Sequence, residues 1–207
     1  MKRLCSGGKT VAFRALFLLA LLAGICWAGP IAVVPQDGII GSDLRPWMIG
    51  WQFSVSSPIT VTGLAYWDED GDGLGEAHNV GIFDSGTGTL LVSATVPSGT
   101  VALLMGGFRV VPISYVLIPG TYVIGGQQSS DADGVYLQAL SVTSIAGVTY
   151  LEERELQTSS FVMPTNNAPG SEIGIFGPNF TTVPEPASFL LVTVAGLAPG
   201  LLRKLRR

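Results

Sequence analysis

Between residues 29 and 183 no stretch keeps a helical period between recognisable caps, whereas short β-branched and aromatic runs recur throughout, separated by clusters of Gly, Pro, Asp and Ser. The runs fall at 51–55, 59–67, 80–84, 89–96, 108–116, 121–125, 135–140, 142–150 and 173–176. Alternation is clearest in Thr60-Val61-Thr62-Gly63-Leu64-Ala65-Tyr66-Trp67 and in Leu91-Val92-Ser93-Ala94-Thr95-Val96, where one face is apolar and the other small or polar. The pattern predicts an all-β chain whose single antiparallel β-sandwich, jelly-roll-like in outline, occupies residues 29–176, with a barrel as the other topology. Residues 151–157 are the best helical candidate, one or two turns long. Residues 177–183 read as a linker.

Both ends differ sharply from this interior. Lys2, Arg3, Lys9 and Arg14 precede an apolar run over 15–27, and Ala28 offers a small residue for cleavage, so residues 1–28 read as a secretory signal peptide. Leu22-Ala23-Gly24-Ile25-Cys26 is a poor lipoprotein box, because Ile25 stands where a small residue belongs. Cleavage after Ala28 removes both cysteines, Cys5 and Cys26, which leaves a domain with neither disulfide nor thiolate chemistry.

At the other end Val183 is followed by Pro184-Glu185-Pro186, an apolar run over 187–202, and Arg203-Lys204-Leu205-Arg206-Arg207. The 16 residues of that run would span roughly 24 Å as a helix, against a hydrocarbon core of about 30 Å. Arg and Lys side chains reaching for the headgroups make up part of the difference. The order Pro-Glu-Pro, short apolar helix, basic terminus closely resembles the PEP-CTERM sorting signal of exported bacterial proteins. That resemblance implies that residues 184–207 are read by a membrane-embedded exosortase, with Pro184, Glu185 and Pro186 as the recognised motif. It also implies export through the inner membrane by the export machinery and signal peptidase, transient anchoring, and a final place at the cell surface or in the extracellular matrix. A permanent C-terminal anchor is the other reading of the segment.

Charge follows the same division. Residues 29–183 hold three arginines, Arg45, Arg109 and Arg154, against fourteen acids, 3 − 14 = −11, although the whole chain carries only −4. The basic ends suit the cytoplasmic side of a membrane, and an acidic middle argues against nucleic acid, whose phosphates need a basic surface.

A looser resemblance covers about half of the interior. Gly50-Trp51-Gln52-Phe53, the strand Ile59 to Leu64, His78-Asn79-Val80-Gly81-Ile82-Phe83, Gly88-Thr89-Leu90-Leu91 and Leu117-Ile118-Pro119-Gly120-Thr121-Tyr122-Val123 fall in the order seen in an uncharacterised group of extracellular β-sandwich domains. It implies a fold and no activity.

The dense group of ligand-type residues is Asp68-Glu69-Asp70-Gly71-Asp72-Gly73-Leu74-Gly75-Glu76. Asp68, Asp70 and Asp72 followed by Gly73 reproduce the first half of an EF-hand loop, with Glu76 as a further oxygen donor, and point to calcium. Asn79 stands where the bidentate Glu would close such a loop, so only a loop-type site is left, and the competing reading is an acidic turn whose aspartates bond their own backbone. Asp84 would complete a shell if its strand ended beside the loop. His78 is the single histidine, and no G-x-S-x-G surrounds a serine, so a structural histidine is expected there. Trp47, Trp51, Tyr66 and Trp67 invite a sugar-stacking reading. Trp67, opposite in parity to Tyr66 and next to the acidic loop, is the one expected to be exposed and to bind glycan. Asn179-Phe180-Thr181 matches a glycosylation sequon.

Two function classes follow. The first is a non-enzymatic surface or matrix protein whose sandwich is structural, adhesive or glycan-binding, with extracellular polysaccharide as the partner. The second is a secreted glycan-active hydrolase working through paired carboxylates.

Overall fold

The computed structural model describes residues 29–36, 38–41, 45–167 and 173–183. The expected signal peptide (1–28) and the sorting signal (184–207), with Pro184, Glu185 and Pro186, lie outside the described residues.

The strands are β1 (Val33–Gln36), β2 (Ile39–Gly41), β3 (Trp47–Val55), β4 (Ile59–Trp67), β5 (His78–Asp84), β6 (Leu90–Val96), β7 (Leu103–Met105), β8 (Phe108–Leu117), β9 (Gly120–Gln128), β10 (Val135–Ala139), β11 (Ser141–Ser144), β12 (Val148–Gln157), β13 (Ile173–Phe176) and β14 (Pro178–Thr182). They pair antiparallel in a five-stranded sheet, β12-β3-β9-β5-β6, a four-stranded sheet, β14-β4-β8-β7, and two small sheets, β13-β10-β2 and β1-β11. The two larger sheets share one core. Trp51 and Phe53 of β3, Val80 and Ile82 of β5 and Ile124 of β9 meet Val61, Leu64 and Tyr66 of β4 and Phe180 of β14, all essentially without exposure. Trp51 stacks on Phe180 with ring centres 5.8 Å apart, and its Nε1 donates to the Pro178 carbonyl at 3.0 Å, so the buried indole satisfies its one polar atom across the sheets.

A register shift in β4 between Val61 and Gly63 moves the inward parity from Ile59 and Val61 to Leu64 and Tyr66, as a bulge does. Beyond it Ala65 and Trp67 turn to the outer face, where they form a second cluster with Ile31, Phe108, Val110 and Met105.

Three expectations need correcting. Residues 151–157 belong to β12, not a helix. Their good helix formers are overridden by six ladder positions against β3, Glu152 to Gln157, tertiary pairing outweighing propensity. Residues 177–183 are no linker, because β14 is buried along its whole length and pairs with β4 from Tyr66 to Val61. Phe180 at its centre supplies core that the chain before Gly177 lacks. Asn179 of the sequon is inaccessible, its Nδ2 donating to the Val33 carbonyl at 2.6 Å with no residual exposure.

The sandwich has two ends, about 30 Å apart along the nine residues of β4. At the Trp67 end gather the loops 68–77, 97–102 and 129–134, with Leu74 bridging to Gly99 and Glu76 bonded to Ser129. At the Ile59 end lie the turn 56–58, the turn 85–89 (Asp84 pairs with Tyr122), the β8–β9 turn, and Val183, whose N–H donates to the Thr60 carbonyl at 3.2 Å.

Candidate functional site

The acidic loop leaves β4 at Trp67 and is closed on itself by Asp68. Asp68 Oδ1 accepts from the Gly71 N–H at 3.2 Å and the Gly73 N–H at 3.4 Å, a turn that needs φ of +78° and +119° at those glycines. The other oxygen, Oδ2, accepts from Arg109 Nε at 2.6 Å, both side chains being nearly buried. Arg109 goes on to donate to the Gly71 carbonyl at 2.8 Å and the Ala102 carbonyl at 3.2 Å. The β4–β8 register, which sets Tyr66 opposite Arg109, brings it there. The loop therefore carries its own cation. Reading the sequence missed this residue, 41 positions away, although a sparse arginine among so many acids was a signal.

One carboxylate oxygen from each of Asp68, Asp70 and Asp72 lies within 4.8 Å of the others, so the structure does bring the three expected ligands together. Asp70 Oδ1 accepts from the Asp72 N–H at 3.2 Å, and the hydrogen bond with Asp70 and its negative charge raise the Asp72 carboxyl above its ordinary value. Glu76 is not with them. Its Oε1 accepts from the backbone N–H of Ser129 at 2.7 Å and of Ser130 at 3.1 Å, on another loop. The Leu74 carbonyl accepts from Gly99 at 2.6 Å, and Asp84, at the far end of β5, closes its own turn on Thr87. The EF-hand analogy thus ends at the third aspartate, because the later positions have backbone partners elsewhere.

His78 is wholly buried and stacks on Tyr66 at 3.6 Å between ring centres with only 2° between planes. Its Nδ1 lies 2.9 Å from the Gln127 carbonyl and its Nε2 2.9 Å from Asp133 Oδ2. A carbonyl and a carboxylate only accept, so a ring with N–H at both nitrogens satisfies both contacts. Asp133 also accepts from the N–H of Gly75 at 2.7 Å and of Glu76 at 3.0 Å. Burial alone would push its carboxyl up; the His78 hydrogen bond and the two backbone bonds outweigh it and hold the group below the ordinary range. Tyr66 is pushed well above its usual value, by burial first and then by Asp133 and Glu76, and its Oη has no partner. This is a loop clamp shielded from solvent. Asp133, which anchors it, stood in no recognisable motif.

Trp67 is not the exposed platform expected of it. Its ring packs edge-on against Phe108 at 5.1 Å and Tyr136 at 5.0 Å, and a Cβ on Gly107 would lie 2.4 Å from it. The small outer cluster that the β4 bulge creates takes it up. Trp47 instead lines an open cleft of about 200 Å³ with Ile49, Gln128, Val135, Leu137 and Glu155, and Arg45 stands 5.3 Å from its ring centre. Glu155 is the sole carboxylate in that lining.

Comparison with protein-family models gives no match, and comparison with curated proteins gives none.

Proposed function

We propose that the chain is an exported surface or matrix protein, processed by an exosortase, whose β domain is a non-catalytic structural, adhesive or glycan-binding module. The observation that carries this reading is the order Pro184-Glu185-Pro186, apolar 187–202 and basic 203–207. Export, the inner-membrane stage and the surface destination rest on that order together with the N-terminal segment. We read the wrap of the β3–β4 ribbon against β8–β9 as jelly-roll-like, since each ribbon crosses between the two larger sheets.

A non-catalytic role is supported by how the acids are used. Asp68, Glu76, Asp84 and Asp133 hold loops through hydrogen bonds, and Glu152 pairs with Arg154. The hydrolase reading requires two carboxylates about 5–9.5 Å apart across a substrate, and the Trp47 cleft offers Glu155. For glycan binding Trp47 lines the open cleft beside Glu155 and Gln128, where an indole face and two polar groups suit one sugar ring. Calcium at Asp68, Asp70 and Asp72 is the second reading of the acidic loop, favoured by the 4.8 Å convergence of their oxygens.

Intact-mass analysis of the exported protein tests the sorting reading. Loss of residues near 1–28 and of the segment after Pro186 is expected, and recovery of Leu201 to Arg207 in the surface species would refute it. Arrays of polysaccharides and chromogenic glycosides separate binding from hydrolysis: retention that falls with Trp47→Ala, without turnover, is expected, and turnover would favour the enzyme.

A further inference from the structure

Resting on the reading that residues 187–202 enter the bilayer, we propose that the Ile59 end of the sandwich is a lipid-contact surface formed by Val116, Ile118 and Val183, with the acidic loops held at the far end. The chain's exit sets the distance. Thr182 is 4% exposed and Val183 is still bonded to Thr60, so the fold grips the chain up to one residue before Pro184. Four residue steps separate Val183 from Ala187, at most about 14 Å when fully extended. A headgroup layer of about 5–8 Å per leaflet takes up much of that. The Ile59 end is thereby held within about 6–9 Å of the headgroups.

What that end displays fits the neighbour. Val116, Ile118 and Val183 are 56%, 64% and 43% exposed. Val116 faces Thr60 in the β4–β8 ladder, and the Thr60 carbonyl receives Val183, so Val116 on β8, Ile118 in the turn that follows it and Val183 just past β14 lie on either side of β4. In the segments gathered there, 56–60, 84–90, 116–121, 145–149 and 183, the single Asp, Glu, Lys or Arg is Asp84. The Trp67 end holds Asp68, Glu69, Asp70, Asp72, Glu76, Asp131 and Asp133, which anionic headgroups would repel. Val101 and Leu103 are as exposed, at 86% and 60%, but they lie towards that far end, and the tether brings no bilayer to them.

The full chain, with Cys5→Ser and Cys26→Ser, is reconstituted in phosphatidylethanolamine/phosphatidylglycerol vesicles carrying nitroxide headgroups. An environment-sensitive fluorophore is placed at Ile118→Cys, at Val116→Cys or at Val101→Cys. Labels at 118 and 116 should be quenched several-fold more than the label at 101. Equal quenching at all three positions in a chain that stays with the vesicles through an alkaline wash overturns this inference alone. Loss of the chain in that wash removes the anchor reading and the inference with it.

Discussion

Arg109 Nε lies 2.6 Å from Asp68 Oδ2, on side chains 6% and 2% exposed, and the same guanidinium holds the Gly71 and Ala102 carbonyls. One cation thereby ties the acidic loop to β8 and to the 97–102 loop. Truncating it with Arg109→Ala leaves a buried carboxylate uncompensated, which costs about 3–5 kcal/mol. Urea unfolding of residues 29–183 should show that loss, and pairing Arg109→Met with Asp68→Leu should recover much of it. A midpoint unmoved by Arg109→Ala would mean that water already screens the pair.

Asp133 binds His78 and two backbone N–H groups, and its carboxyl titrates below the ordinary range. A depressed carboxyl contributes stability that is fully present above its unfolded value, about 3.9, and is lost as pH falls through the folded value. Wild type and Asp133→Asn should therefore differ by about 1–3 kcal/mol at neutral pH and converge in acid. Parallel curves down to the lowest pH would place the effect of the substitution elsewhere.

Calcium is tested by thermal unfolding in millimolar calcium and in chelator. Binding to the folded state alone stabilises by about 2.7 kcal/mol at a hundredfold excess over Kd, and a site of three aspartates belongs among the weak extracellular ones, about 10⁻⁴ to 10⁻³ M. An upward shift abolished by Asp70→Ala is expected. An unmoved midpoint leaves Arg109 as the counter-charge of Asp68, and a shift that survives in Asp70→Ala puts the ion at another place.

Truncation tests the role of β14. A chain ending after Val183 should unfold cooperatively, whereas one ending after Gly177 loses Phe180, the ring stacked on Trp51, and the ladder against β4. Removing a buried Phe side chain alone costs about 3–5 kcal/mol, so the shorter chain should lack a cooperative transition. Folding of the shorter chain would return residues 177–183 to the linker first expected.

The strands were legible because β-branched and aromatic residues alternate with small polar ones wherever a strand has one face in the core, as at 59–67 and 91–96. Residues 151–157 misled because Leu, Glu, Arg and Gln suit a helix, and only the open edge of β3 makes them a strand. Residues 177–183 misled because Pro, Asn and Gly punctuate them, while the fact that decides their state, Phe180 filling the space beside Trp51, lies 129 positions away in the sequence.

The chemistry divides in the same way. From the sequence alone came the base-flanked apolar ends, the all-β interior and the three aspartates of one loop, since each is written in neighbouring residues whose spacing carries the physics. Tertiary structure decided that Arg109 answers Asp68, that Asp133 clamps His78, that Glu76 turns away to Ser129 and Ser130, and that Trp67 packs into an outer-face cluster while Trp47 meets a cleft. These relationships depend on strand register and on which sheet face a bulge exposes. A single shifted position in β4 reverses what every later side chain of that strand faces.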